Sequence, residues 1–366
     1  MTDRLRVLLV TSWNTPCGIA DHSAQLKAAV EAADPLIEVE PSAAALDPGQ
    51  GGLLLSTTTP TIVHLNHHDA LHSRWTPAHV RMVREQIKAP VVVTYHDTRG
   101  TLAQTPKLAA LVDVASAVVV HEPVSGLTED GILLGTSAAP YRGLAYYWRQ
   151  GVPAPAVSPA CYAYAEQGAQ VWFDGESEFP NAIRRCQYPL WKAFPQQPVL
   201  GTAGFNFPWK NFDRLAQVTG EEGWAFLLCC NNATDEDEAR WKVLNHATLV
   251  VRGFLPTPTI VNYLAGCDAT AWMYECANTG TSGAIRLGIA ARKPVIALQT
   301  CRQFRDLYNQ SPGSGLTWVE SWKSFRDELA HVYPGAWKPY VSLLARLDSW
   351  TTLGRKYATL YRSLTP

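Results

Sequence analysis

Short runs of aliphatic and β-branched residues alternate along the chain with stretches of helical periodicity. In the first third, four runs are apolar on both faces, which is typical of strands buried in a parallel sheet. These predicted strands are 6–11, 61–65, 90–95 and 117–121. A helical pattern from Ile19 to Glu31 follows the first of them after a Pro-Cys-Gly turn. The alternation predicts a doubly wound α/β domain in residues 1–140.

The same alternation begins again after residue 195. The strands predicted there are 199–202, 224–230, 248–251, 269–274 and 293–297. Residues 196–348 are therefore predicted to form a second α/β domain of the same kind. The final segment, 349–366, carries an amphipathic stripe from Ser349 to Leu364 and is predicted to be a helix.

Residues 141–195 interrupt this pattern. Residues 141–191 hold 11 aromatic side chains, a much higher share than the 10% of the whole chain, together with scattered Pro and Gly. We interpret the segment as a linker with an inserted lid. Its aromatic and arginine side chains could stack on a sugar ring or on an unstacked base, or could simply pack between two domains.

Composition narrows the classes of function. The 366 residues are 47% hydrophobic, which is enough for two domains that each bury a core. Net charge is −1, but residues 1–140 carry nine basic against 14 acidic side chains, and residues 192–366 carry 18 against 14. An acidic N-terminal half is a poor surface for a long nucleic-acid backbone, whereas the C-terminal half suits a small anionic ligand.

The start of the chain and the cysteines indicate a cytoplasmic protein. We expect no signal peptide, because a strand follows almost directly after the first residues, and no membrane span, because no apolar stretch approaches 18 residues. The eight cysteines contain no Cys-x-x-Cys pair. Free thiols in a reducing compartment are therefore predicted.

No metal site is predicted. Four histidines cluster in the sequence (His64, His67, His68 and His72), but no second set of ligands with metal-binding spacing accompanies them. A run of four carboxylates, Asp235 to Glu238, is better explained as the charged first turn of a helix that opens near Thr234.

Two loops of the C-terminal domain are candidates for ligand binding, because doubly wound domains bind ligands at the carboxyl ends of their strands. The small residues of 278–283 precede a helix, so an anion could approach the backbone closely there. Lys210 lies between a strand and a helix, where an ammonium group could meet a diphosphate. Ordinary helix capping and a solvated lysine are the alternative explanations.

Two further candidates follow strands of the N-terminal domain. The turn that contains Gly18 follows the first strand but lacks the G-x-G-x-x-G pattern of dinucleotide-binding folds. His96 ends the third predicted strand. It is either a polar group for a ligand or a histidine bonded to nearby backbone.

In order and spacing these segments resemble the family-four glycosyltransferases, which are retaining, nucleotide-sugar-dependent enzymes of GT-B fold. The resemblance covers residues 5–135 and 197–364. It rests on the following segments: the Gly18 turn, Thr94-Tyr95-His96-Asp97, Gly204 with Lys210 six residues later, Val251 to Leu255, Ala265 to Asp268, Ser282 to Arg286 with Pro294-Val295-Ile296, and the terminal helix.

The resemblance implies two facing, doubly wound Rossmann-like domains with a C-terminal helix that crosses back onto the N-terminal domain. On the donor side, Lys210 would hold the diphosphate and Gly253 and Phe254 would lie at the nucleobase. Hydroxyl and backbone N–H groups for the same phosphates would come from Thr281, Ser282 and Gly283.

The resemblance also implies roles for two N-terminal residues. Gly18 would allow the loop after the first strand to approach the transferred sugar or phosphate. His96 would contact the sugar or the acceptor hydroxyl near the anomeric carbon.

The sequence departs from the family pattern at two points. The two glutamates that the family carries with seven residues between them fall on Thr279 and Leu287, so Glu275 is the candidate carboxylate for the donor sugar. The arginine that often follows the glycine of the lysine loop is Phe205 here.

The predicted function is the transfer of a sugar from a UDP- or GDP-type donor, with a UDP-sugar favoured, to an acceptor hydroxyl. Retention of configuration and independence from metal and cofactor follow from the resemblance. The acceptor is expected to be a glycan or a small molecule. The alternatives are a phage-type DNA glucosyltransferase acting on a hydroxymethylated base, a nucleotide-sugar epimerase, and a non-catalytic nucleotide-sugar-binding protein.

Overall fold

The structure is a computed structural model, and it divides into two units. The residues that it describes are 4–15, 17–43, 60–69, 71–97, 101–121, 144–147, 197–275, 282–291, 293–304, 307, 316–332 and 350–365. Of these, residues up to 147 and the segment 350–365 belong to the first unit, and residues 197–332 to the second. Among the described helices, none combines the length and the apolar character that a membrane crossing needs.

The first unit is built on a six-stranded sheet in which every pair of neighbours is parallel. Its strands are β1 Leu5–Val10, β2 Ile37–Ser42, β3 Ile62–His67, β4 Val91–Tyr95, β5 Ala117–Val120 and β6 Leu144–Tyr147. They lie in the order β2-β1-β3-β4-β5-β6. The four strands predicted from apolar runs are β1, β3, β4 and β5. Strand β6 lies inside the segment interpreted as an insertion, and it extends the sheet.

Helices cover both faces of this sheet. They are α1 Gly18–Ala33, α2 Pro77–Gln86 and α3 Pro106–Val112. Side chains of β1 alternate between the two layers. Leu8 and Val10 join the apolar cluster on the α2 and α3 side, and Val7 and Leu9 join the cluster that contains α1 residues. Both faces of β1 are therefore covered by apolar side chains, which explains why the four consecutive residues 7–10 are all apolar.

The second unit repeats the architecture with a second parallel sheet. Its strands are β7 Val199–Gly204, β8 Ala225–Cys230, β9 Thr248–Arg252, β10 Ala269–Trp272, β11 Val295–Leu298 and β12 Leu316–Val319, in the order β12-β11-β10-β7-β8-β9. Its helices are α4 Phe212–Glu221, α5 Asp235–Leu244, α6 Thr257–Ala265, α7 Ala284–Ala290 and α8 Trp322–His331. Helix α5 begins after Thr234, whose side chain accepts from the Asp237 N–H, so the carboxylate run is a helix start as predicted.

The terminal helix, α9 Trp350–Ser363, packs on the first unit. A Cβ on Gly354 would lie 2.8 Å from the Ala29 Cβ of α1, so only glycine allows the two helices to approach this closely. Below the helix, His64 Nδ1 lies 2.6 Å from the Tyr361 hydroxyl, and Thr94 Oγ1 lies 2.6 Å from the Tyr357 hydroxyl. The predicted return of the C-terminal helix to the N-terminal sheet is confirmed.

Candidate functional site

The strand order marks one crevice in each sheet. In the second sheet the chain runs from β7 to β8 on one side, whereas β10 pairs with β7 on the other side. The loops that follow β7 and β10 therefore diverge, and such a reversal point is where doubly wound sheets bind ligands. In the first sheet the reversal lies between β1 and β3. The candidate residues fall at these carboxyl edges.

Lys210 occupies the reversal point of the second sheet and is buried. It ends a short 3₁₀ turn, Pro208–Lys210, after β7, and only 5% of its surface is exposed. The Nζ atom lies 5.2 Å from the ring centre of Tyr274 and 5.4 Å from that of Trp209. Aromatic faces attract a cation, and the low local polarity strengthens its attraction to an anion. This is not the solvated lysine that the sequence left open.

Gly204 makes the position of Lys210 possible. Its φ of +139° lies in a region that residues with a side chain rarely adopt. A Cβ at this position would collide with the Lys210 Nζ. The glycine at the end of β7 and the lysine six residues later therefore form one steric unit.

Two polar contacts hold the loops after β7 and β10 together. Asn211, in the left-handed conformation with φ 58°, donates from Nδ2 to the Met273 carbonyl oxygen at 2.8 Å. The Glu275 N–H donates to the Trp209 carbonyl oxygen at 2.8 Å. These bonds place Glu275 beside the turn that carries Lys210.

The Glu275 carboxylate is oriented by the second unit itself. Its Oε1 accepts a hydrogen bond from Trp322 Nε1 at 2.6 Å and lies 3.7 Å from an Arg214 nitrogen. The Arg214 guanidinium stacks over the Trp322 ring at 4.5 Å. Glu275 is therefore a positioned carboxylate at the edge of the crevice.

Gly253 and Phe254 follow β9 on the same edge of the sheet. Gly253 has φ +98°, and its N–H donates to the Cys230 carbonyl oxygen at 3.3 Å. Phe254 is 45% exposed, and its ring centre lies 6.5 Å from that of Phe205. The row continues through Phe207, which is 6.0 Å from Phe205 and 44% exposed. Exposed rings in a row offer a stacking surface for a planar group.

Ser282 and Gly283 precede α7. The Ser282 N–H donates to the Gln303 carbonyl oxygen at 3.1 Å, and its own carbonyl oxygen accepts from Arg286 at 2.7 Å. The backbone N–H of Ser282 is therefore engaged within the protein, and its hydroxyl is the group of this residue that suits a ligand. Thr281, the third predicted phosphate contact, lies outside the described residues.

In the first unit, His96 follows β4 directly and contacts Asn66 of β3. His96 Nε2 lies 2.6 Å from Asn66 Oδ1. The Asn66 amide is oriented by its Nδ2, which donates to Ser23 Oγ at 2.7 Å. Because Oδ1 can only accept, His96 must donate from Nε2, and its Nδ1 then carries the lone pair.

His96 is held in its neutral form. Burial, followed by the neighbouring His22 and His121, keeps the pKa of His96 well below 6.5. The ring centre of His22 lies 4.7 Å from that of His96, and the His121 ring centre lies 5.1 Å from it. A neutral imidazole with Nδ1 unprotonated can accept a hydrogen bond or a proton from a hydroxyl group.

Gly18 begins α1 at the first reversal point. The preceding Cys17 caps the helix, because its Sγ accepts from the Ala20 N–H at 3.3 Å. A Cβ on Gly18 would meet nothing within 4 Å. The packing of the described residues leaves room for a ligand above this backbone.

Solved structures share this arrangement of two parallel sheets and a terminal helix. Trehalose-6-phosphate synthase from Burkholderia multivorans matches with a TM-score of 0.63 at 10% identity, over 99% of each chain. HepE from Anabaena, solved with UDP and glucose, matches with a TM-score of 0.55 at 12% identity, over 98% of this chain and 97% of that one. AviGT4, a glycosyltransferase involved in avilamycin A biosynthesis, gives 0.55 at 15% identity over 98% of each chain.

The chain has the GT-B fold. The prediction made from the order of the motifs is confirmed at that level. No protein-family model matches the sequence, and no curated protein matches it. At these identities the structural similarity establishes the fold and nothing finer.

A second polar cluster of this GT-B chain lies on the opposite face of β3. Ligating atoms of His67, Asp69 and Asp97 lie within 4.8 Å of one another. Lys107 Nζ is 3.6 Å from Asp69 Oδ1, and the Tyr95 hydroxyl donates to the same carboxylate at 2.9 Å. Burial is the main reason that the pKa of Asp97 is raised. The cation beside these two carboxylates is the Lys107 ammonium group of the protein itself.

Sequence reasoning missed several residues of these sites. Asn66, His22 and His121 were not singled out, because each is an ordinary polar residue at the end of a strand or the start of a helix. Asn211 and Tyr274 were missed for the same reason. Their place in the sequence could have indicated them, because each lies within a few residues of the end of a predicted strand or in the helix that follows that strand.

Proposed function

We propose that this chain is a glycosyltransferase that moves a sugar from a nucleotide-diphosphate sugar, a UDP-sugar above all, to an acceptor hydroxyl. The observation that carries the proposal is the buried Lys210 at the reversal point of the second sheet. A buried ammonium group beside aromatic rings suits a diphosphate, whose charge it would neutralise as the sugar–phosphate bond breaks. The GT-B fold, shared with a protein solved with UDP and glucose, supports the same function.

The donor would be held by the edge of the second sheet. Lys210 and the Ser282 hydroxyl would bind the diphosphate, together with the backbone of Gly283 and, as the resemblance implies, Thr281. The nucleobase would lie at Gly253 and Phe254. This arrangement stabilises the leaving diphosphate through a lysine and hydrogen-bond donors, without a metal ion on the phosphates.

The donor sugar would be oriented by Glu275. Among the described residues, Trp322 and Arg214 both contact its Oε1, so Oε2 is the oxygen proposed to accept from a sugar hydroxyl.

On the acceptor side, neutral His96 would accept a hydrogen bond at Nδ1 from a hydroxyl near the anomeric carbon. Gly18 would allow the loop after the first strand to approach the transferred sugar closely. Retention of anomeric configuration and a glycan or small-molecule acceptor complete the proposal.

The donor site is tested by binding of UDP, GDP and their glucose derivatives, read as a rise in unfolding temperature. Wild type should be stabilised by the matching nucleotide, because a ligand that binds only the folded state raises its stability. Lys210→Met keeps the apolar stem but removes the charge, so it should lose the shift. Lys242→Ala, an exposed lysine of the same unit, is the control and should keep it. Equal shifts in all three proteins would refute the role of Lys210.

The transfer step is tested by His96→Gln with radiolabelled donor and a panel of acceptors. We expect transfer to fall by about 100-fold, a usual effect of losing a positioned proton acceptor, while donor affinity changes little. Equal losses in transfer and in donor binding would contradict an acceptor-side role. A wild type that binds donor but neither transfers nor hydrolyses it would identify a non-catalytic nucleotide-sugar-binding protein.

A further inference from the structure

Three histidines of the first unit converge at the carboxyl edge of its sheet. His96 follows β4 and His121 follows β5, and the pairing of Tyr95 with Val120 places the two histidines side by side. His22 reaches them from the first turns of α1. One ring nitrogen of each histidine lies within 4.8 Å of those of the other two.

The spacing of the rings matches that of three imidazoles around one ion. The ring centres are 4.7 Å apart for His22 and His96, 5.2 Å for His22 and His121, and 5.1 Å for His96 and His121. Three imidazole nitrogens bonded to zinc at their usual length, with tetrahedral angles, place the ring centres about 5 Å apart.

Asn66 supplies the outer contact that such a site needs. A metal-ligating histidine normally donates its other ring N–H to an oxygen acceptor, which fixes the orientation of the ring. His96 Nε2 donates to Asn66 Oδ1 at 2.6 Å, and Asn66 Nδ2 donates to Ser23 Oγ at 2.7 Å and lies 3.3 Å from His22 Nδ1. An ion on the other ring nitrogen of His22 would place a proton on Nδ1, so the contact between Asn66 and His22 would have to open when the ion binds. The Trp350 ring packs edge to face with the His22 ring, with ring centres 5.0 Å apart.

We propose that His22, His96 and His121 form a binding site for a divalent transition-metal ion of the zinc class. Imidazole nitrogen is a ligand that these ions favour, and three histidines leave a fourth position for water or another ligand. The site goes beyond the proposed function, since it does not serve the diphosphate. If the chain is also a transferase, a bound ion coordinates the same His96 Nδ1 that is proposed to accept a hydrogen bond from the acceptor hydroxyl. Zn²⁺ should then inhibit transfer, and a chelator should restore it.

The mixed cluster of His67, Asp69 and Asp97 is a weaker candidate for the same ion. Lys107 already provides a positive charge 3.6 Å from Asp69, and a second cation would have to displace it. His68 lies beside this second cluster, 3.5 Å from Asp97, and is not one of the three proposed ligands. Its substitution is therefore a matched histidine control outside the proposed site.

The experiment is calorimetric titration of Zn²⁺ into the chelator-treated full chain, with no nucleotide or acceptor present. Wild type should bind one ion. His22→Ala and His121→Ala should each lower the affinity by about 100-fold or more, and Asn66→Ala by about 10- to 100-fold, as outer-contact losses do. His68→Ala should bind as wild type does. No binding by wild type, or loss of binding in His68→Ala alone, would overturn the proposal.

X-ray absorption of the zinc-loaded wild type tests the site without any substitution, in case a histidine variant does not fold. Three imidazole ligands on the ion support the proposal. Fewer than three, or a shell dominated by carboxylates, overturns it. Neither measurement involves sugar transfer, so failure of the metal site and failure of the proposed enzymatic function are told apart.

Discussion

Acid should destabilise the first unit through His64, and the size of the effect can be worked out. The ring is fully buried, with Nε2 2.8 Å from Thr94 Oγ1 and Nδ1 2.6 Å from the Tyr361 hydroxyl. Burial, with a smaller effect of His121, lowers the pKa of His64 from 6.5 to about 3. As the pH falls, the unfolded chain therefore binds this proton first. The stabilisation is present above pH 6.5 and is lost as the pH falls toward 3.

Each pH unit in that window costs about 1.4 kcal/mol of unfolding free energy for one histidine. Between pH 7 and pH 5, His64 alone contributes a loss of about 2 kcal/mol, because it titrates only in the unfolded chain. The total stability of a typical domain is about 5–15 kcal/mol, so the loss is large enough to measure.

The assay is urea unfolding at several pH values between 7 and 5, followed by far-UV circular dichroism. His64→Gln keeps hydrogen-bonding groups at the position but cannot titrate. It should be less stable than wild type at pH 7, and the difference should shrink by about 2 kcal/mol at pH 5. Thr359→Ala, at an exposed and non-titrating position of α9, is the control and should follow the wild-type slope. Parallel curves for wild type and His64→Gln would refute the reasoning.

Two glycines give further predictions of stability and binding. Gly354→Ala should destabilise the chain by about 1–3 kcal/mol through overpacking against α1. The control Thr359→Ala, on the exposed side of α9, should be neutral or slightly stabilising. A lower urea midpoint for Thr359→Ala than for Gly354→Ala would contradict this prediction. Gly204→Ala should lower UDP affinity more than Gly223→Ala, read by calorimetry. Both glycines have positive φ, but only a Cβ at 204 collides with Lys210. Equal affinities would show that the contact does not position the lysine.

Much of the fold was predictable because its strands are buried on both faces. Strands β1, β3, β4 and β5 are near-continuous apolar runs, and so is most of β7 to β11. Strand β2 was missed because Glu38 and Glu40 alternate with its buried residues at the edge of the sheet. Helices α2 and α3 were also missed, although Thr76-Pro77 and Thr105-Pro106 are ordinary helix-start signals.

The candidate site was predictable in position but not in environment. Lys210 could be chosen because it lies between a strand and a helix. Its burial depends on Tyr274, which follows a different strand, and on Gly204, whose missing side chain makes the space. No local pattern carries that information, since a lysine in a loop is solvated unless distant residues surround it.

The histidines show most clearly what a parallel sheet does to a sequence. His64 and His67 are close in the sequence and suggest one cluster. They are three residues apart on β3, however, and because side chains alternate along a strand they lie on opposite faces of the sheet. His64 contacts α9, whereas His67 stacks on Tyr95 at 4.9 Å. His96 and His121 are far apart in the sequence, yet each directly follows a strand, and the two strands pair. Histidines that follow successive strands are thus a better sign of a shared site than histidines that are close in sequence, once the order of the strands is known.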